Sequence, residues 1–600
     1  MGTSRSVFRH IRMFRLLVVA ALLAAGVLQL STAVAGTTIA VNTTADTLNT
    51  DGSCSLREAI RAANLNIEVG GCPAGSAVTP DTITIPAGTY TISLAGANED
   101  AAATGDFDIA GNVAIDGAGT GQTILSGRGL DRVLHVLAGV TASITDLTIT
   151  NGLTPRVGQD GDHGGGIYNG GTLTVSRSRV TNNAAQSGAD GFLVWNDDGL
   201  IVSETPGGNG GHGGGIYNHG TLTLTDSTVG NNAAGDGGED PEQDVDEDGA
   251  DGGSGGGVYN HGTMTIANSA ITGNNAGKYG SDGNRDVEGG DSGRGGGIYN
   301  GGTLTVTNST VSGNVNLCGC GVYNWPDRGG DGGGISNYGT MTLTGVTITN
   351  NITGWLGGGV HNADAEPATT SIRNSIIAGN SAAHDSHAAF ANDCVGTLTS
   401  QGYNLVGVLE FQSDVYDEPE GFENCTIAGD ATGNLIGVDP KLGPLQDNDG
   451  PTFTHALLAD SPAVDAGSTS GCPATDQRGI TRPRDGNGDG SAVCDIGAYE
   501  RETVTGTTIQ AQIMALRAEV EQLVEVGASK KGPGHALMTK LDGALQKLER
   551  GNTRAAANQL HAFVNQVEAF HKAKKLSTAQ AQPLLDQARD IIEQLTQTAG

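Results

Sequence analysis

Polar and apolar positions alternate in short bursts through the middle of the chain. Residues 172–175 read Thr-Leu-Thr-Val, and the same alternation returns at 221, 263, 303 and 340. Period-two alternation predicts a β-strand with one buried face. Around each burst lie shorter extended pieces, such as Ile167-Tyr168-Asn169 and residues 178–181, separated by Gly and Asn. Three short strands divided by turn residues predict one coil of a solenoid. The last hundred residues change period. Ala557, Leu560, Phe563, Val564, Val567 and Phe570 recur at helical spacing, as do Leu584, Leu585, Ala588, Ile591, Ile592 and Leu595. Helices are expected at 508–526, 534–549, 553–573 and 578–597, with Gly527 and Gly551 ending the first two. Short loops between them predict a small antiparallel bundle.

The strand pattern belongs to a repeat. Residues 164–183 read GGGIYNGGTLTVSRSRVTNN, and related units start at Gly213, Gly255, Gly295, Gly332 and, in degenerate form, Gly357. The starts are 49, 42, 40, 37 and 25 residues apart, so a unit of about 20 residues alternates with variable inserts, as in a solenoid with loops on one side. Stacked coils would align Leu173, Leu222, Met264, Leu304 and Met341 as one interior ladder. Val175, Leu224, Ile266, Val306 and Leu343 would form another. Asn169, Asn218, Asn260, Asn300 and Asn337 share one repeat position; they are read as an inside-corner amide ladder or, alternatively, as exposed turn residues. Over 164–380 the repeat resembles the right-handed parallel β-helix proteins of the pectate-lyase-like class. Weaker strands at 81–85 and 142–149 extend that resemblance back to about 80. The expected fold is mainly β, a right-handed single-stranded parallel β-helix with a small C-terminal helical bundle.

Both ends of a solenoid need covering. Residues 54–64 read CSLREAIRAAN; Ser55 and Glu58 form a capping-box pattern, and Leu56, Ala59, Ile60 and Ala63 share one helical face. This segment resembles the CSLREA domain of exported bacterial proteins. Residues 461–467 (SPAVDAG) and 494–500 (CDIGAYE) resemble the choice-of-anchor Q domain, which implies a cell-surface protein. No LPxTG-like motif follows. In the tail, 541–551 with 555–570 resembles the FIMAH domain, a helical module of bacterial surface proteins, which implies an interaction or spacer role. The expected organisation is 1–35 signal peptide, 36–80 CSLREA cap, 81–440 β-helix with acidic Gly-rich inserts, 441–502 choice-of-anchor Q-like cap and 503–600 FIMAH-like module.

Composition narrows the function. Of 600 residues 97 are Gly, and aromatics are 4 %. That argues against an ordinary α/β enzyme core, and the glycines are read as showing no every-third-residue spacing, which excludes collagen. Residues 36–506 carry 17 bases against 56 acids, net −39, with Lys278 and Lys441 the lysines there. Nucleic acid and anionic lipid are therefore not expected partners. Residues 507–600 are nearly balanced, with 11 bases and 9 acids. At the N-terminus Arg5, Arg9, Arg12 and Arg15 precede an apolar run at 16–30 and Ala33-Val34-Ala35, which predicts an export signal cleaved before Gly36; an uncleaved anchor helix is the alternative. No integral membrane span is expected in the mature chain. Export permits disulfides. Locality pairs Cys54 with Cys72, Cys394 with Cys425 and Cys472 with Cys494, while Cys318 and Cys320 are too close for a relaxed mutual bridge.

Two classes of function remain. A galacturonan hydrolase would need paired acids in one groove. Asp197-Asp198 and Gly211-His212-Gly213 resemble part of that pattern, but the companion Asn-Thr-Asp and Arg-Ile-Lys stretches are missing. A polysaccharide lyase would need calcium and a basic residue, and the body holds few lysines. His163 and His212 are read as loop residues. The acidic inserts point elsewhere. Residues 244–249 and 485–490 both match Dx[DN]x[DN]G, the first half of a calcium loop. The candidate ligands are Asp244, Asp246 and Asp248 in one, and Asp485, Asn487 and Asp489 in the other, with Asp495 supplying a further carboxylate. A structural calcium ion is thus the cofactor expectation, with a solvated acidic loop as the alternative reading of 244–249, and no other cofactor is expected. The preferred function is a non-catalytic structural or adhesive display platform, secreted or at the cell surface. Cell-envelope components, glycans or other proteins would be its partners. A polysaccharide lyase or glycoside hydrolase on the same scaffold is the alternative.

Overall fold

The computed structural model describes residues 36–597 apart from 98, 199, 241–248, 281–289, 318–329, 365–367, 383–389, 392, 410–423, 459, 503–505, 526–530, 549 and 551. The export segment 1–35, Asp244, Asp246, Asp248, Cys318, Cys320, Gly527 and Gly551 lie outside the described residues.

The body is a right-handed parallel β-helix. Each complete coil contributes three strands in fixed order, for example Ile167–Asn169, Thr172–Ser176 and Arg179–Thr181. The first strands stack into a Tyr face, the second into a Thr face and the third into a closing face. Among the described residues the first two faces join into one 20-stranded sheet, and the closing face is an 11-stranded sheet. Register is strict. Leu173 pairs with Leu222, then Met264, Leu304 and Met341, and the Val175 ladder runs in parallel beside it, as the repeat predicts. All ten side chains are at most 1 % exposed.

Polar ladders hold the corners. Asn169 Nδ2 donates to Asn218 Oδ1 at 2.7 Å, and the series continues through Asn260, Asn300 and Asn337 to Asn362. The corner reading of these asparagines is therefore the observed one. A second ladder runs from Asn183 through Asn232, Asn274, Asn314, Asn351 and Asn380 to Asp393, each step at 2.9–3.0 Å. Each of these amides also bonds a backbone carbonyl of an adjoining coil, so a fully buried polar group keeps its partners.

The Gly-Gly-Gly signature has a steric cause. The first glycine of each unit, from Gly164 to Gly357, takes φ between +66° and +74°, a left-handed conformation that costs a residue with a Cβ. At the second there is no room: a Cβ on Gly214 would lie 2.1 Å from the Ala233 carbonyl oxygen. The described residues of the inserts are more ordered than a reading as variable loops implies. Gly235 N donates to Gly211 O, Gly253 N to Gly235 O, Gly277 N to Gly253 O and Gly293 N to Gly277 O, all at 2.8–2.9 Å. Inside the inserts glycines do recur every third position, as at 235 and 238, 249 and 252, and 277 and 280. Extended segments can then pack backbone against backbone, as in polyproline-type assemblies.

Every residue of the Cys54–Ala59 stretch has a structural task. Cys54 bridges to Cys72 with Cα atoms 4.7 Å apart. Ser55 and Glu58 close the capping box of helix α1 (Leu56–Leu65). Leu56 and Ala59 enter the core. Arg57, wholly buried, pairs with Asp46 at 2.6 Å and donates to the carbonyls of Ala102, Gly105 and Asp106. The other two expected bridges are also present, Cys394–Cys425 at 5.3 Å and Cys472–Cys494 at 6.5 Å between Cα atoms. Residues 452–498 lie along the outside of the closing face. Thr310 Oγ1 donates to Gln477 Oε1, Ser312 Oγ meets His455 Nε2, and Ala498 N donates to Thr347 Oγ1. Ile376, Leu405, Leu457, Ala463 and Ile496 form a separate small core there.

The tail folds as four helices: α2 (Gly506–Glu525), α3 (Lys531–Leu548), α4 (Thr553–Lys572) and α5 (Thr578–Gln597). Consecutive helices pack together, and α2 closes on α5 around one apolar core that includes Leu560, Phe563, Val567, Leu584 and Ile591.

Candidate functional site

Strand alternation turns the Tyr of each Ile-Tyr-Asn unit outward. Tyr168, Tyr217, Tyr259 and Tyr299 stack along the Tyr face with ring centroids 4.7–5.0 Å apart. Beside them His163 stacks on His212 at 4.9 Å, and His212 on Tyr259 at 4.6 Å. The histidines predicted as loop residues are therefore part of a column. His212 N donates to His163 Nδ1 at 3.0 Å, and Ser254 N donates to His212 Nδ1 at 2.9 Å. Each Nδ1 is an acceptor, so the neutral ring carries its proton on Nε2. Burial lowers both imidazoles, and His212, with His163 beside it, is pushed down to about 4.

Two contiguous grooves run along this column. One, of about 320 Å³, is lined by Asp160, Asp162, His163, Asn209 and His212. The next, of about 210 Å³, is lined by His212, Asp251, Tyr259, Asp291, Arg294 and Tyr299. Arg294 lies 3.3 Å from Asp291 and 5.3 Å over the Tyr338 ring, and Asp251 Oδ1 accepts the Asp291 N–H at 2.7 Å. Carboxylates and a guanidinium thus converge beside aromatic edges, which suits hydrogen bonding to a polyhydroxylated ligand. Asp197 and Asp198 are not part of these grooves. They sit exposed in the turn of a hairpin formed by Phe192–Trp195 and Ile201–Thr205. That hairpin leaves Phe192, Val194, Trp195, Ile201 and Val202 each at least 40 % exposed.

The 485–490 loop is closed by its own backbone. Asp485 accepts from Gly488 N and Gly490 N, Asn487 Oδ1 from Asp489 N, and Asp489 Oδ1 from Ser491 N. The structure adds Asp465, whose carboxylate accepts from Gly486 N and Asn487 N at 3.1 and 2.8 Å. Burial raises the Asp465 carboxyl, and Asp485 and Asp489 add to the rise. Asp495 is fully buried instead, accepting from Asp465 N and Arg501 N, and burial with Glu500 beside it pushes its carboxyl up to about 8. Asp465 carries no motif of its own; only the fold brings it to this loop. A further group, Asp100, Asp108 and His135, gathers near the N-terminal end of the helix with ligand atoms within 4.8 Å of one another. Asp108 and His135 are register partners on neighbouring strands, and Asp100 comes from the loop just before the first of them; these early coils lack the repeat signature that would have aligned the three in the sequence.

Residues 513–593 match the FIMAH domain family. No curated protein and no solved structure matches the chain. Among the described residues no helix is long and apolar enough to cross a membrane.

Proposed function

We propose that this is an exported extracellular or cell-surface protein whose β-helix is a rigid, non-catalytic platform for adhesion. The observation that carries the reading is the 192–205 hairpin, which gathers Phe192, Val194, Trp195, Ile201 and Val202 in solvent, whereas exposed apolar residues elsewhere on the body, such as Val78 and Phe453, are scattered along the sequence. Exposed apolar groups gathered in one projection mark a contact surface. The FIMAH match in the tail supports a surface or adhesion role. The resemblances of 54–64 to CSLREA and of 461–467 and 494–500 to choice-of-anchor Q support export and surface display, as do the three disulfides among the described residues. Cell-envelope components, glycans or other proteins are the partners in this reading. Calcium belongs to it as a structural ion at Asp485, Asn487 and Asp489. Oxygen donors with a nearby third carboxylate at Asp465 suit a hard cation.

A glycan array and envelope-fragment pull-downs with the full chain test the reading. Retention is expected, with loss on Trp195→Ser together with Val202→Ser. Retention unaffected by that pair would remove the hairpin as the contact. One observation favours a second reading: Asp251, Asp291 and Arg294 line one groove. A lyase or glycoside hydrolase would use such a set.

A further inference from the structure

The Thr face presents a grid. From Thr141–Thr145 to Thr340–Thr344 six five-residue strands pair in register. Of their eighteen outward positions fifteen are Thr, two are Ser (Ser143 and Ser176) and one is Ala267. None is charged or aromatic, in a body of net −39. The next strand on either side ends the pattern, with Asp116 and Arg373 at the third outward position. The other faces are less uniform: residues 452–498 lie on the closing face of the later coils, the earlier closing strands carry an exposed charge at Arg179, and the Tyr face holds its rings and grooves. Thr145 and Ser176 hydroxyls lie 3.2 Å apart within the grid, Thr369 Oγ1 of the next strand donates to Thr340 Oγ1 at 3.5 Å, and the first position of each strand is exposed.

Such a grid has two fixed repeats, about 4.8 Å between strands and about 6.7 Å between alternate residues, over roughly 24 by 13 Å. Each point offers a hydroxyl and a methyl on a side chain stiff at χ1. The geometry points to an ice-binding surface. Water anchored by the hydroxyls and caged by the methyls takes both repeats of the grid, which approach the oxygen rows on a prism face of hexagonal ice. Because the backbone ladder holds the side chains in place, little ordering entropy opposes joining that lattice. A charge would hold water in its own shell and break the pattern. Other regular hydroxyl surfaces, such as crystalline polysaccharide, repeat along their chains by the length of sugar units and match the grid less well. This surface is separate from the hairpin and grooves, so it stands or falls independently of the platform reading.

The test uses the full chain in an ice-affinity partition and in single-crystal growth under the microscope. The expected result is incorporation into the ice and faceted crystals. Thr223→Lys with Thr265→Lys, at the centre of the grid and facing solvent, is expected to abolish both while the thermal melt stays unchanged. Thr305→Tyr adds bulk without charge and is expected to act alike, which covers misfolding of the lysine pair. Exclusion of the wild-type chain from ice would overturn the proposal. So would equal loss from Thr205→Lys on the hairpin. Binding to microcrystalline cellulose or chitin, or self-association through this face, without any effect on ice would also overturn it.

Discussion

Asn232 illustrates how much single amides carry. Its Nδ2 donates to Val180 O and Asn274 Oδ1, and its Oδ1 accepts from both nitrogens of Asn183. Asn232→Ala leaves buried partners on two coils unpaired, so a loss of about 3 kcal/mol is expected in denaturant unfolding. A change within error would mean that water replaces the amide. His212 makes stability depend on pH. Its folded pKa is depressed to about 4 from 6.5, so its contribution is complete above 6.5 and is lost as pH falls toward 4. A shift of that size corresponds to about 3 kcal/mol in all. Asp495, raised from 3.8 to about 8, acts in the opposite direction, losing stability as pH rises through that range. Comparing wild type with His212→Asn isolates the histidine: the variant is expected to keep the Ser254 hydrogen bond and to lose less stability between pH 7 and 4.5. Identical slopes would exclude His212 as the cause. The first Asn ladder was legible because its members share a repeat position. The second was present as the Asn that closes each unit, yet the sequence offers no means of choosing which of two adjacent asparagines turns inward. The histidine column was hidden for a related reason, since two histidines in inserts of different length give no register until the coils are stacked.

At the level of elements, strands and helices followed periodicity closely. The four tail helices lie within a few residues of the positions their apolar spacing predicts, because each buries a single stripe. Inserts resisted prediction, because glycine packing depends on backbone neighbours that are far apart in sequence. The 485–490 loop belongs to this scale. If Asp485, Asn487 and Asp489 hold an ion with Asp465 nearby, millimolar calcium raises the melting temperature and EDTA reverses it. Sites of this extracellular type bind on the order of 0.1–1 mM, and a hundredfold excess over the dissociation constant adds about 2.7 kcal/mol. Asp485→Ala with Asp489→Ala is expected to remove the shift, and an equal response to magnesium would reduce it to charge screening. The Cys394–Cys425 bridge spans 31 residues and ties neighbouring strands of the late coils. Replacing both cysteines with serine is expected to cost about 3 kcal/mol. An unchanged melt would mean that strand pairing alone sets the stability there.

The molecule as a whole divides its labour. Polar residues at repeat positions satisfy each other inside the solenoid, and the helical module carries its own core. What was legible at this scale was the architecture. Which surface touches a partner was not, because the hairpin, the grooves and the Thr grid exist only once inserts and strands are stacked. The choice between platform and enzyme comes down to turnover. The full chain, with and without calcium, should be incubated with a panel of uronate-containing and neutral polysaccharides while new reducing ends and unsaturated products are measured. The account predicts no product above the protein-free blank, even for polysaccharides that the chain retains. Product that appears with wild type and disappears with Asp251→Asn or Arg294→Ala would contradict it and make the groove beside Tyr259 an active site.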